Sequence, residues 1–289
     1  MQLDLFRDSH DTCLRNEAID ALRRRDVEAL KRAVDRLRAS FPDDYSLGDL
    51  DLLAGTALDE TLPDSAPRIA ERLARIDTQL YPALCRVLGE KAARRWLEPL
   101  FSRLAGGAAA RVFHREHARV YAGALFLRAN DLAAARAAIH RVPSWRRIPE
   151  PLAWMTEIAW RENNPAEYWP LAAELAWIAP SLFDPLLSRA APEAVRRLYA
   201  DFLSGFEPDD EGEHPEAAWF PAWLLVEHGE LLEHFRPIDP HPSKPARCAA
   251  LLVNLLTGER QGLSPGIIEQ RQRLRALAPR LFARYMAFR

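Results

Sequence analysis

The chain has 289 residues, of which 48% are hydrophobic and 28% are charged, and its formal net charge is −2 at pH 7. Such a composition is typical of a globular protein that can bury a sizeable core. The near-balance of charge excludes a whole-chain electrostatic attraction to nucleic acid or to an anionic membrane.

The cysteines and the first residues indicate in which cellular compartment the protein is expected. Cys13, Cys85 and Cys248 are far apart, which argues against a disulfide framework and against a zinc site. The segment Met1–Asp11 has no basic region followed by a long apolar run, so we expect no secretory signal. No stretch of about 18 uncharged apolar residues is present that could span a bilayer. We therefore expect a cytoplasmic protein with no membrane partner and no cofactor.

The first helical period begins after residue 10, and we expect residues 1–10 to form a loose or extended peptide. The first helix then has an apolar stripe of Leu14, Ala18, Ala21 and Leu22. Asp26 opens a second helix, whose apolar face is Leu30, Val34 and Leu37. Both stripes follow the helical period, so these two helices are predicted to form a hairpin.

A second region, from Ala118 to Pro180, contains two hairpins in succession. Asp131 and Asn164 lie 33 residues apart, and each precedes the second helix of a hairpin. The predicted helices are Ala118–Arg128, Leu132–Val142, Pro151–Arg161 and Pro165–Ile178. A period of 33 to 34 residues is typical of helical repeats that must stack to bury their apolar faces.

These hairpins resemble tetratricopeptide repeats. In that family a polar residue opens the second helix and a proline closes the repeat sixteen residues later. The intervals from Asp26 to Pro42 and from Asn164 to Pro180 match it, whereas the middle hairpin has Arg147 at that position. The resemblance implies an all-α, right-handed helical solenoid with no β-sheet, extending over residues 11–235.

The remaining segments are also predicted to be helical, because none shows the alternation of apolar and polar residues that is typical of a strand. The predicted helices are Ser46–Leu58, Ser65–Leu80, Pro82–Leu104 and Pro192–Phe202. A further hairpin, Trp219–Phe235, is broken near Gly229, and a proline-rich linker follows over residues 236–247. Residues 248–289 are predicted to form a helical cap that ends in one long helix from Ser264.

Two patterns suggest catalysis or metal binding. Residues 262–266 match the nucleophile elbow of α/β-hydrolases, but that chemistry needs a strand before Ser264. We favour Ser264 as a helix cap with Pro265 in the first helical turn. His114 and His117 are three residues apart on a predicted helix, but no third ligand accompanies them, so we expect no metal site. No catalytic centre is predicted.

Four tryptophans lie in the hairpin over residues 151–178, namely Trp154, Trp160, Trp169 and Trp177. Large rigid aromatic side chains can line a peptide-binding groove. Alternatively, they fill the space between helices. Helical spacing places successive tryptophans on different faces, which favours packing for at least two of them.

The last segment is rich in arginine. From Gln270 to Arg289 there are six arginines and no acidic residue. The helix either caps the array with a polar outer face or contacts nucleic-acid phosphates through Arg271, Arg275 and Arg280. We favour the cap, because arginine is common throughout this chain.

The most specific functional pattern is the string Gln2-Leu-Asp-Leu-Phe6. It resembles the peptide motif that binds the bacterial sliding clamp. The resemblance implies that Gln2 bonds in a polar subsite and that Leu5 and Phe6 fill an apolar cleft of the clamp. Leu3 and Asp4 match the intervening positions. Alternatively, Leu3, Leu5 and Phe6 form an apolar staple on the first hairpin.

The function predicted from sequence is therefore a non-catalytic scaffold for protein partners, with the sliding clamp as the partner that the N-terminal string suggests. The second hypothesis is a nucleic-acid-associated helical protein that uses the arginine-rich C-terminal helix. The sequence does not identify the oligomeric state.

Overall fold

The computed structural model describes residues 2–56, 63, 65–207, 216–235, 241–262 and 266–288, with side chains from His10 onward. Within these residues the regular elements are all helical and no strand occurs. The predicted all-α class without a β-sheet is confirmed for this part of the chain. The stacking of hairpins into a right-handed superhelix stays a prediction.

The chain divides into two compact units, residues 1–135 and 136–289. The helices that begin in the first unit are α1 (Gln2–Arg24), α2 (Val27–Ser40), α3 (Leu47–Thr56), α4 (Ala66–Arg75), α5 (Tyr81–Leu88), α6 (Glu90–Ala108), α7 (Ala122–Arg128) and α8 (Leu132–His140). Within this unit α1 packs against α2, and α6 packs against α5 and α7.

The helices of the second unit are α9 (Pro149–Arg161), α10 (Pro165–Ile178), α11 (Pro180–Ala190), α12 (Glu193–Gly205), α13 (Phe220–Glu227), α14 (Leu232–Phe235), α15 (Lys244–Arg260), α16 (Ile267–Leu277) and α17 (Pro279–Ala287). The helices α9 and α10 are buried on nearly all sides, so they form the centre of this unit's core. The helix α11 packs on both, and α15 packs on α13 and α16.

Three hairpin turns share one backbone geometry. Arg25, Asn130 and Asn163 have φ angles of 59°, 58° and 51°. In each turn the amide of this residue donates to the carbonyl three residues earlier, and the next amide donates to the carbonyl five residues earlier. This is the Schellman pattern that closes a helix. The next residue stands immediately before the following helix, so the connections are short: two residues between α1 and α2, and three residues in each of the other two turns.

All three residues predicted to begin the second helices do so, and two of them also cap the helix with their side chains. The Asp26 carboxylate accepts a hydrogen bond from the amide of Ala29 (2.9 Å), and that of Asp131 accepts one from Ala134 (3.0 Å). Asn164 also stands at the N-cap, but its side chain makes no capping bond. The predicted starts of these three helices are confirmed.

Prolines end helices at three places. Phe41, Ala179 and Ala278 leave the helical conformation with φ near −140°, and each is followed by a proline, whose ring disfavours the α conformation in the preceding residue. The first two are the predicted ends of the sixteen-residue intervals. The third corrects the sequence analysis, since Pro279 divides the predicted long C-terminal helix into α16 and α17.

Other boundaries also differ from the prediction. The region predicted as one helix over Pro82–Leu104 is divided into α5 and α6 by Gly89, whose φ is 80°. The predicted helix Ala118–Arg128 begins as a 3-10 helix, Arg115–Val120, and becomes α7 only after Tyr121, which is extended.

Proline-rich segments contain more helix than predicted. The helix α11 is absent from the prediction, although Pro180 stands in its first turn, where a proline costs no hydrogen bond. Of the predicted linker, residues 236–240 lie outside the described part of the chain. Its end is helical, since α15 begins at Lys244 with Pro245 in its first turn.

The start of α1 differs as well. The sequence predicts a loose peptide over residues 1–10, whereas the helix begins at Gln2. Residues 2–9 contain neither glycine nor proline, and Gln, Leu and Arg all favour a helix. The clamp-like string therefore lies in the first turns of a helix.

Candidate functional site

The clamp-like string precedes the part of α1 that is fixed to the rest of the first unit. The predicted stripe of α1 is buried, beginning with Leu14, which is 5% exposed. The side chains of Gln2–Phe6 lie outside the described residues. The clamp peptide and the apolar staple therefore both stay predictions.

A polar contact also fixes α1 at Arg15, nine residues after the string. The Arg15 guanidinium donates to the Asp44 carboxylate (2.6 Å) and lies over the ring of Tyr45 (4.7 Å to its centre). Burial acts to raise the pKa of Asp44, but hydrogen bonds from Arg15 and Ser46 outweigh it and hold that pKa below its usual value. The bond from Arg15 lies nine residues beyond Phe6 and the buried stripe begins at Leu14, while the ring of His10 already lies 5.9 Å from that of Phe41. The string precedes all three contacts, so it can separate from the unit without breaking them.

Most of the four tryptophans belong to the core. Trp160, Trp169 and Trp177 are 2%, 4% and 7% exposed, while Trp154 is half-buried. Trp169 stacks on Phe235 with ring centres 6.1 Å apart, and the indole N–H of Trp177 donates to a backbone carbonyl. The burial of three of the four favours packing over a peptide groove.

Two buried carboxylates in the second unit were not predicted. Glu157 on α9 and Glu174 on α10 are each 2% exposed. Glu174 receives a two-pronged ion pair from Arg146 (Nε to Oε2, 2.9 Å). Glu157 accepts from Arg161 and from Arg189, the latter at 2.6 Å. Only the four-residue spacing of Glu157 and Arg161 could have signalled any of these pairs.

These ion pairs link separate elements of the second unit. Arg146 belongs to a 3-10 helix, Trp145–Arg147, and its bond to Glu174 ties that helix to α10. Arg189 belongs to α11 and is tied to α9. Since each acid is matched by arginine, removing either partner would leave a buried charge without compensation.

The C-terminal arginines are largely engaged within the protein. Arg271 donates to Glu259 (2.9 Å) and lies within hydrogen-bonding distance of the Tyr285 hydroxyl (3.3 Å). Arg280 pairs with Glu207 (3.3 Å), whereas Arg275 is exposed. Acids elsewhere in the second unit therefore offset much of the positive charge of this segment, and both the cap and the phosphate contact stay predictions.

The two catalytic or metal patterns find no support. Ser264 and Pro265 lie outside the described residues, and no strand is described that could present that serine. His114 and His117 do not lie on an α-helix as predicted, since His114 is extended and His117 interrupts the 3-10 helix. In the described part of the chain, no group of three or more potential metal ligands is found.

The two histidines nevertheless share a cleft. Together with Ala66, Arg111 and Tyr121 they line a cavity of about 270 Å³ in the first unit. From sequence the pair is interpreted either as metal ligands or, preferably, as a surface or partly packed pair, and no local pattern connects it with Arg111.

Comparison with protein-family models, with curated proteins and with solved structures gives no match. Among the helices of the described residues, none is long and apolar enough to cross a membrane.

Proposed function

We propose that this chain is a non-catalytic protein-interaction scaffold that binds the bacterial sliding clamp through Gln2–Phe6. The observation that carries the proposal is the complete match of five consecutive residues to the clamp-binding pattern. The helical fold supports the scaffold role, because helical hairpins present side chains on fixed surfaces to partners.

Binding requires the string to leave the helix, since a peptide in a clamp cleft is extended. Even near 0 °C, helix propagation gains at most about 0.3 kcal/mol per residue, so unwinding the first two turns costs little compared with burying Leu5 and Phe6. The rest of α1 remains held by its buried stripe and by the bond between Arg15 and Asp44.

The test is the double substitution Leu5→Ala with Phe6→Ala. Loss of two apolar anchors weakens binding to purified clamp by about thirtyfold or more, equivalent to roughly 2 kcal/mol. The melting temperature should not change, because the fold does not depend on these side chains in the proposed mode.

A matched control removes the same residue types elsewhere. Leu203 and Phe288 are 49% and 57% exposed, so Leu203→Ala with Phe288→Ala should preserve clamp binding. The staple hypothesis requires the opposite result, in which the Leu5 and Phe6 variant melts at a lower temperature and clamp binding is absent from the wild type.

A further inference from the structure

One side of α6 carries three exposed cations. Lys91, Arg95 and Arg103 are exposed, and in a regular helix they lie within about a third of the circumference and over an axial length of about 18 Å. Glu98 stands at the edge of this side. The other residues of α6 that share it are small and uncharged, namely Ala92, Pro99, Ser102 and Gly106.

Arg25 adds a fourth cation, which is held in place at the end of α1. Its guanidinium donates to the Trp96 carbonyl and lies over the Trp96 ring (4.6 Å to its centre). The indole N–H of Trp96 in turn donates to the Leu22 carbonyl (2.8 Å). Since Arg103 follows Trp96 by two helical turns, Arg25 is fixed beside the part of α6 that presents Arg103. We call Arg25 and the three cations of α6 the basic face.

Like charges meet on the basic face. Burial and, after it, the charge of Arg103 lower the pKa of Arg25, so the two guanidinium groups are near enough to repel each other. Arg94, on another side of α6, pairs with Glu90. No such ion pair is found among the described residues for the three cations of the basic face. An anion bound between Arg25 and Arg103 would offset their repulsion.

The surroundings of the basic face favour nucleic acid over a protein partner. Protein interfaces are built around large apolar or aromatic side chains. In the described part of the first unit, the large apolar side chains that are exposed are Tyr45 and Val112, and neither lies on α1 or α6. Cations separated by small side chains instead suit a regular row of phosphates, which arginine and lysine neutralise.

We propose that the basic face binds the phosphodiester backbone of duplex DNA without reading its sequence. Phosphate contacts position a protein but carry no sequence information. A single strand is a poorer fit, because such strands are held by stacking on aromatic side chains, whereas Trp96 is buried beneath Arg25. The contact lies on the first unit and does not involve the C-terminal arginines that the sequence suggests for phosphate binding.

The experiment measures fluorescence anisotropy of a labelled duplex of about 30 base pairs, titrated with the full-length chain at several salt concentrations. The dissociation constant should be about 10 μM or lower at about 50 mM salt and should rise about a hundredfold by about 200 mM, because four phosphate contacts give a logarithmic slope of about −3.5. A second duplex of unrelated sequence should bind within about twofold.

Variants distinguish the basic face from general attraction between charges. Arg95→Gln with Arg103→Gln should weaken binding tenfold or more at about 50 mM salt and should reduce the slope by about two. The control, Arg36→Gln with Arg38→Gln, removes the same charge from the same unit, but both of these arginines lie on α2 and pair with acids. It should change affinity less than about twofold. Thermal melts verify that both variants remain folded.

The proposal is overturned if the duplex does not bind at about 50 mM salt, or if the α2 control loses as much affinity as the α6 variant. Loss of binding in Arg275→Gln but not in the α6 variant would assign the contact to the C-terminal segment and would also overturn it. So would polyglutamate that competes as well as DNA of equal total charge, which would indicate an acidic protein partner. No clamp is present in these measurements, so the basic face can be rejected independently of the proposed function.

Discussion

At the residue scale, the least expected side chains are the two buried carboxylates. Glu174 is almost fully buried, while its partner Arg146 keeps a third of its side chain exposed. Removing one member of a buried pair leaves the other without compensation, which costs about 3–5 kcal/mol when both are fully buried. Since water can still reach Arg146, we expect Glu174→Gln to lower the free energy of unfolding by about 2 kcal/mol, measured by urea denaturation.

Glu269→Gln provides the matched control. Glu269 also pairs with an arginine, Arg273 (2.6 Å), but both side chains are about two-thirds exposed. Its replacement should leave the denaturation midpoint unchanged. Equal effects of the two substitutions would show that the Arg146–Glu174 bond contributes no more than a surface ion pair does.

Sequence reasoning could not find these residues, because acidic side chains are almost always exposed unless paired. Arg146 and Glu174 are 28 positions apart, and no local pattern joins them. The apolar stripes could be predicted, because helical periodicity is a local property of the chain. Leu14, Leu30 and Leu37 are buried as predicted.

At the element scale, two residues with equivalent positions in the sequence differ in their hydrogen bonds. Asp131 caps α8 through its side chain, whereas Asn164 does not cap α10. Loss of a capping bond typically costs about 1 kcal/mol. We therefore expect Asp131→Ala to destabilise the protein by about 1 kcal/mol and Asn164→Ala by less than about half of that. Chemical denaturation followed by circular dichroism checks this; equal losses would contradict the capping geometry.

The turns also explain which element boundaries could be predicted. Arg25 and Asn163 each precede a closing proline by 17 residues, and so does Gly262, which precedes Pro279. Gly262 has a φ of 67°, and its amide donates to the carbonyl three residues earlier, as at the other turns. From sequence, Gly262 belongs only to an elbow-like string in which Ser264 is favoured as a helix cap, and nothing local predicts that Gly262 follows α15 with the hydrogen bond of the other turns.

At the scale of the whole molecule, local signals were sufficient for the fold class but not for the division into units. Helical period and the absence of alternation predict an all-α chain. The boundary near Ala135 depends on contacts between distant segments, which composition does not record. The cleft likewise could not be predicted from local sequence, because Ala66 and Arg111 come to line it only through the packing of α4 on the 3-10 helix.

The central claim, that Gln2–Phe6 binds a sliding clamp, is tested most directly by calorimetric titration of the wild-type chain into purified bacterial clamp, alone and with a synthetic peptide of residues 1–8 as competitor. The account predicts saturable binding with a dissociation constant of about 10 μM or tighter, which the peptide abolishes at saturation. Absence of binding at that concentration, or binding that the peptide does not displace, would contradict it.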